Sequence, residues 1–199
     1  MEPTPPHNWP NLAALVSLHT RDERSVRVRH MRSEDAALLE RMFYRLSSQT
    51  RYQRFFVPLD SLDEARVQLE AARLATINPA TETALVAVVT EAGREEAIAV
   101  ARYVLLTAQA DSCEASIVVR DDFQSAGIGR QLFDLLVQAA IASGLRHMLL
   151  ITHADNLGMI KLVQGLGMPY KGHYSAGVYE IHVELTAGAH PFFPFTGPV

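Results

Sequence analysis

The chain has 199 residues, 48% of them apolar and 20% charged, with a net charge of −4. That balance excludes a disordered chain, and the negative sign argues against a general nucleic-acid binder. A single cysteine, Cys113, excludes an internal disulfide and a cysteine-based zinc cluster. No run of 18 strongly apolar residues occurs, so no membrane span is expected. The first residues carry no basic stretch ahead of an apolar one, which argues against a secretory signal and leaves a cytoplasmic location as the expectation.

Residues 1–24 read as an N-terminal arm, proline-rich over Met1–Pro10 and apolar enough over Asn11–Leu18 to pack on a domain spanning 25–187. Val26–Met31 alternates and reads as a strand. Ser33 is placed to cap a helix with Glu34 and Asp35 in its first turn. Leu38, Leu39, Met42, Phe43 and Leu46 form its apolar stripe. Nine arginines crowd residues 21–54. They suit solvated faces, an acidic partner, or phosphates. Arg51–Phe56 is aromatic and basic, and Pro58 breaks it. Ser61–Ala75 reads as a second helix, with Ser61 and Glu64 as a capping box.

Strands follow at Ala84–Thr90, Ala97–Leu106 and Ser112–Val119, the first two joined by a turn at Gly93. Ile128–Ala142 is an amphipathic helix that Gly144 closes. His147–Thr152 reads as a buried strand, Asn156–Leu166 as a short helix ended by Gly167, and Tyr179–Leu185 as a last strand. A Phe- and Pro-rich tail covers 188–199. The order predicts an α/β (α+β) fold, a mixed and mostly antiparallel sheet flanked by helices on both faces. One parallel crossover is expected within 112–152.

The stretch from Val119 to Arg130 carries the chemistry. A strand ends, a turn holds Gln124, Gly127 and Gly129, and a long helix begins. The unpaired N–H groups and the dipole of a helix start make an anion site, and glycines let a phosphate approach the backbone. A Walker loop would need Gly-Lys-Ser/Thr, but Arg130 and Gln131 follow Gly129. A dinucleotide fingerprint would need glycine where Leu132 stands.

Val119-x4-Gln124-x2-Gly127-x-Gly129 ahead of a long helix resembles motif A of the GNAT superfamily, the Gcn5-related N-acetyltransferases. Asn156 followed by Leu166-Gly167-Met168 resembles that family's Asn, short helix and Leu-Gly-Phe. Within the superfamily the chain is similar to Pat-like protein lysine acetyltransferase domains. Val28-Arg29, Asp35-Ala36, Ser47-Ser-Gln-Thr50-Arg51-Tyr52-Gln53-Arg54-Phe55-Phe56 and Cys113-Glu114-Ala115-Ser116 carry that likeness. The regulatory domains often fused to such enzymes have no counterpart in these residues.

The resemblance implies the GNAT acyl-CoA acyltransferase fold and an N-acetyltransferase that uses acetyl-CoA, without a metal, to acetylate a protein lysine or a small amine. It implies a monomer or homodimer with neither nucleic-acid nor membrane partners. Ile117, Val118 and Val119 would offer main-chain groups to the pantetheine arm and the thioester. Gln124, Ser125, Ala126, Gly127, Ile128, Gly129 and Arg130 would hold the pyrophosphate, with Arg120 a further phosphate candidate. Asn156 would touch the cofactor arm or cap its helix. Glu114 is the candidate base; strand alternation sets it with Ser116, opposite Cys113, Ala115 and Ile117. The family's tyrosine, which protonates the leaving thiolate, is replaced by Val163, leaving His153, Tyr170 or an unassisted thiolate. Tyr52, Phe55 and Phe56 line the acceptor side or pack helix to sheet. Two other readings remain open: a non-catalytic acyl-CoA sensor, and a transferase for a different acyl-CoA.

Overall fold

The computed structural model describes residues 16–59, 62–109 and 111–186. Eight strands form one sheet: β1 (Val16–His19), β2 (Ser25–His30), β3 (Glu82–Glu91), β4 (Arg94–Leu105), β5 (Ser112–Val119), β6 (His147–His153), β7 (Tyr170–Ser175) and β8 (Val178–Glu184). Their order is β1-β2-β3-β4-β5-β6-β8-β7. All neighbours are antiparallel except β5 and β6. The parallel pair is joined by helix α4 (Ile128–Ala142), the expected crossover.

Helices α1 (Ala36–Tyr44), α2 (Ser48–Phe55) and α3 (Glu64–Ala75) precede β3, and α5 (Leu157–Gly165) follows β6. The apolar stripe of α1 packs with Ala84, Val86, Val88 and Ala97 on one sheet face. Leu132, Phe133 and Leu136 of α4 pack with Leu85, Ala87 and Ile98 on the other. Alternation along β3 thus feeds two cores, which is why its run of apolar residues is nearly continuous.

Several elements differ from expectation. The arm contributes β1, a four-residue edge strand paired with β2. Ser33 does not cap α1. A short 3-10 turn over Ser33–Asp35 leads into the helix, and the Asp35 carboxylate accepts the Arg32 N–H at 2.8 Å. The aromatic-basic stretch is helix α2, capped by Ser47, whose hydroxyl accepts the Thr50 N–H. Asp63 caps α3, and the expected cap Ser61 lies outside the described residues. So do most of the N-terminal arm and the tail expected at 188–199. Strand β7 was not expected; every residue in it is exposed, so no apolar alternation marks it.

The arginine-rich stretch is largely consumed inside the molecule. Arg29 grips Asp35 through both terminal nitrogens, at 2.7 and 2.8 Å. Arg27 and Arg29 both meet Glu95, Arg41 meets buried Glu96, and Arg45 meets Glu91. These pairs tie β2 and α1 to the β3–β4 hairpin and fill a role the sequence left open between solvent and partner.

Candidate functional site

The sheet comes apart at its parallel pair. β5 and β6 are in register only from Ser112↔His147 to Ala115↔Leu150. Beyond that point β5 stays with β4 and β6 with β8, so a seam opens beside Ser116–Val119. Main-chain direction follows from the antiparallel ladder. Leu106 N–H donates to the Ser112 carbonyl and Arg120 N–H to the Ile98 carbonyl. Even-numbered residues of β5 therefore face β4, and Ile117 and Val119 aim their N–H and C=O groups into the seam. The main chain of Val118 is directed to β4, and its side chain lines a cavity on the α1–α3 face.

Motif A stands at the mouth of this seam. The Gln124 side chain donates to the Val119 carbonyl at 3.1 Å and to the Thr50 hydroxyl at 3.2 Å. It fastens the loop and occupies the one Val119 acceptor, leaving the Val119 N–H for the seam. Gly127 is the N-cap of α4 with φ +88°, a left-handed conformation, and no side chain caps the helix. Ser125 through Arg130 thus surround a helix start whose amide donors no side chain satisfies, a fit for an anion. Gly129 has a different constraint: a Cβ there would stand 3.2 Å from the Val119 side chain. Its smallness seats α4 on β5. The turn between β1 and β2 buttresses the loop, with Arg21 N–H donating to the Ala126 carbonyl and the Gln131 amide donating to the His19 carbonyl.

The two candidate phosphate arginines are placed differently. Arg120 is 1% exposed and paired with Glu91 and Asp122, a structural cation far from free. Arg130 is held by Asp134 one helical turn on, at 2.8 Å, and its guanidinium lies where a Cβ on Gly165 of α5 would be. Asn156 caps α5, accepting the Met159 N–H at 3.1 Å.

Glu114 is exposed, between Val104 of β4 and Leu149 of β6. Ser116 and Val118, further along its face, line a cavity of about 320 Å³ between the sheet and α1, α2 and α3. Cys113 points into the opposite core, fully buried, and burial pushes its thiol up to about 12. Val163, at the tyrosine position, is 1% exposed in the same core, with no proton to give. Tyr170 lies on β7, two strands beyond β6 and level with Met148 at the closed end of the seam. His153 ends β6 at the open end. Its ring is stacked between Tyr52 and Phe56 at 4.5 and 4.3 Å, and its Nε2 is buried without a hydrogen-bond partner. This stack clamps α2 over the seam. Phe55 instead faces Phe43 and the cavity. Among the described residues no group of His, Cys, Asp and Glu could hold a metal ion.

The sequence reading missed two participants. Asp121 accepts the Ser47 N–H and hydroxyl and the Thr50 hydroxyl at 2.8, 2.6 and 2.8 Å, pinning α2 to motif A. Arg54 lines the cavity and makes no ion pair or hydrogen bond among the described residues. The Ser47–Phe56 motif contained Arg54 and the Ser47 and Thr50 that meet Asp121, but did not show where they point.

Comparison with known proteins follows this geometry. Residues 25–169 match the family described as "Acetyltransferase (GNAT) domain". The chain is 32% identical over 146 residues to acetyltransferase PA5475 of Pseudomonas aeruginosa, covering 73% of this chain and 76% of that one. It superposes on the crystal structure of the GNAT domain of S. lividans PAT with a TM-score of 0.74 and 26% identity, covering 89% of this chain and all of the other. A mutant of the cAMP-binding acyltransferase from Mycobacterium smegmatis gives a TM-score of 0.58 at 26% identity; the chain spans 52% of that protein's length.

Proposed function

The chain belongs to the GNAT acetyltransferase family and is an N-acyltransferase; from that premise we propose that it transfers an acetyl group from acetyl-CoA to a primary amine by direct attack on the thioester. The observation that carries this is the seam: the main-chain groups of Ile117 and the N–H of Val119, all directed away from β4, lie between an uncapped helix start and a carboxylate on the same strand.

Acetyl-CoA supplies an activated acetyl thioester. The amides of Ser125–Arg130 would hold its pyrophosphate, Ile117 and Val119 its arm, and Asn156 would flank it while capping α5. The Val119 N–H, released from any β6 partner, would donate to the carbonyl oxygen as negative charge grows there. A lysine-type amine has a pKa of about 10.4, so roughly one molecule in 2,000 is neutral at pH 7. Glu114 takes the excess proton, directly or through water, a role worth about 10²–10⁴-fold. Val163 offers no acid, so the sulfur leaves as thiolate, tolerable at a thiol pKa of about 8.5, or is protonated near His153.

Titration calorimetry with acetyl-CoA, followed by thiol release with an amine panel, tests the assignment. Glu114→Gln should keep acetyl-CoA affinity and lose about 10²-fold or more in rate. Unchanged turnover would remove Glu114 from its role. Binding without acceptor-dependent release would favour an acyl-CoA sensor.

A further inference from the structure

The cavity beside Ser116 has two unlike kinds of lining. Its walls are apolar: Met42 and Leu46 from the α1 segment, Val67 and Leu74 from α3, Ala84 and Val100 from the sheet. The same lining holds four arginines and one glutamate. Three of the four are answered. Arg102 meets Glu82 at 2.6 Å, and Arg66 and Arg73 share Glu70 at 3.0 and 2.8 Å. Arg54, on the last turn of α2, has no carboxylate partner within ion-pair distance among the described residues.

An arginine among apolar walls, crowded by a like charge and set only over the neighbouring Phe55 ring at 5.3 Å, has no paired countercharge; that is costly, and a ligand anion removes the cost. Burial, with Arg102 and Arg73 adding to it and Glu114 opposing, lowers the Arg54 guanidinium to about 10, still charged at neutral pH. Arg102 is the cross-strand partner of Ser116, and Glu114 is two residues along the same face. Glu114 acts on the Arg54 charge, so a guanidinium without an ion-pair partner and a carboxylate lie near one another, with Ser116 and the apolar walls of the cavity alongside.

We infer that this cavity receives the acceptor, a hydrophobic α-amino acid whose carboxylate pairs with Arg54, whose side chain enters the chamber and whose amine lies at Ser116 and Glu114. The inference rests on the acyl-transfer assignment and names its acceptor class. The step balances. The ammonium loses one proton to Glu114 and solvent. Its nitrogen forms the C–N bond as the C–S bond breaks, and its second proton ends on the departing sulfur. The products are an N-acetyl amino acid and free thiol.

Steady-state assays would compare L-phenylalanine, phenethylamine (the same body without the carboxylate) and a lysine peptide. The expected kcat/KM for phenylalanine exceeds that for phenethylamine by tenfold or more. Arg54→Met should lose tenfold or more on phenylalanine and less than twofold on phenethylamine. Ala71→Leu, which fills space at the cavity wall, should shift preference from phenylalanine toward alanine, and serves should Arg54→Met fail to fold. In parallel, N-acetyl-L-phenylalanine is titrated alone by calorimetry; it should bind, and weaken tenfold or more in Arg54→Met. A lysine peptide preferred to phenylalanine, or equal losses on both small amines, would overturn the inference. Acetyl-CoA binding with transfer to the peptide alone would leave the transferase standing and reject this acceptor. No acetyl-CoA binding would reject the transferase, and the N-acetyl-L-phenylalanine titration would still decide the cavity.

Discussion

At the scale of single residues, the strand parity of β5 separates an exposed position from a packed one. Glu114 and Cys113 are neighbours in sequence, yet one is exposed on the α1–α3 face and the other is fully buried against α4. With its thiol pushed up to about 12 by burial, Cys113 carries almost no thiolate at ordinary pH. Folded protein treated with a thiol reagent at pH 8 should stay unmodified for hours, while urea-unfolded protein reacts within minutes. Rapid labelling of the folded protein would place Cys113 near the surface and undo the parity assignment. Parity was legible in the sequence because period-two alternation needs no distant information. The fate of Arg120 was not. Its neighbour Asp122 is visible locally, but Glu91, 29 residues away, becomes its partner only when the β3–β4 hairpin and β5 lie side by side.

Among the elements, α2 is the one whose role emerged only in three dimensions. Its sequence is polar and short, so neither periodicity nor length marked it as a helix. Its position is set from outside, by Asp121 at its N-terminus and by the His153 stack at its C-terminal end. Burial acts to raise the Asp121 carboxyl, and the bonds from Ser47 and Thr50 outweigh it, so the group sits below its ordinary value. A lowered carboxyl contributes stability in full above its unfolded pKa of about 3.9, and that contribution is lost as pH falls through the lower folded value. Because Asp121 is exposed, Asp121→Ala should cost only about 1 kcal/mol by urea denaturation at pH 7. Ser47→Ala should cost a similar amount, and the double variant clearly less than their sum, since both remove one junction. Strict additivity would mean that α2 and motif A are not joined there. The other misplaced elements, β1 and β7, share a cause. Each is a sheet edge whose pairing, not its side-chain pattern, makes it a strand.

For the molecule as a whole, the decisive feature is a sheet held across its middle by four residue pairs, Ser112–Ala115 against His147–Leu150. Motif A and its glycines were readable because they are contiguous. The seam was not, because it is a relation between strands some 35 residues apart, set by where α4 lets β6 return. Beyond the last pair, neighbouring residues of one strand differ in what holds their amide protons. Val118 is bonded to β4; Ile117 and Val119 point at the gap. Amide hydrogen exchange along β5 should therefore alternate, slow at Ser116, Val118 and Arg120 and fast at Ile117 and Val119. Saturation with CoA should slow the fast pair on the order of tenfold and leave their neighbours unchanged. Uniform protection in the free protein would mean that the strands stay zipped. The alternating trace would give a label-free record of how much of this protein holds its cofactor at any moment.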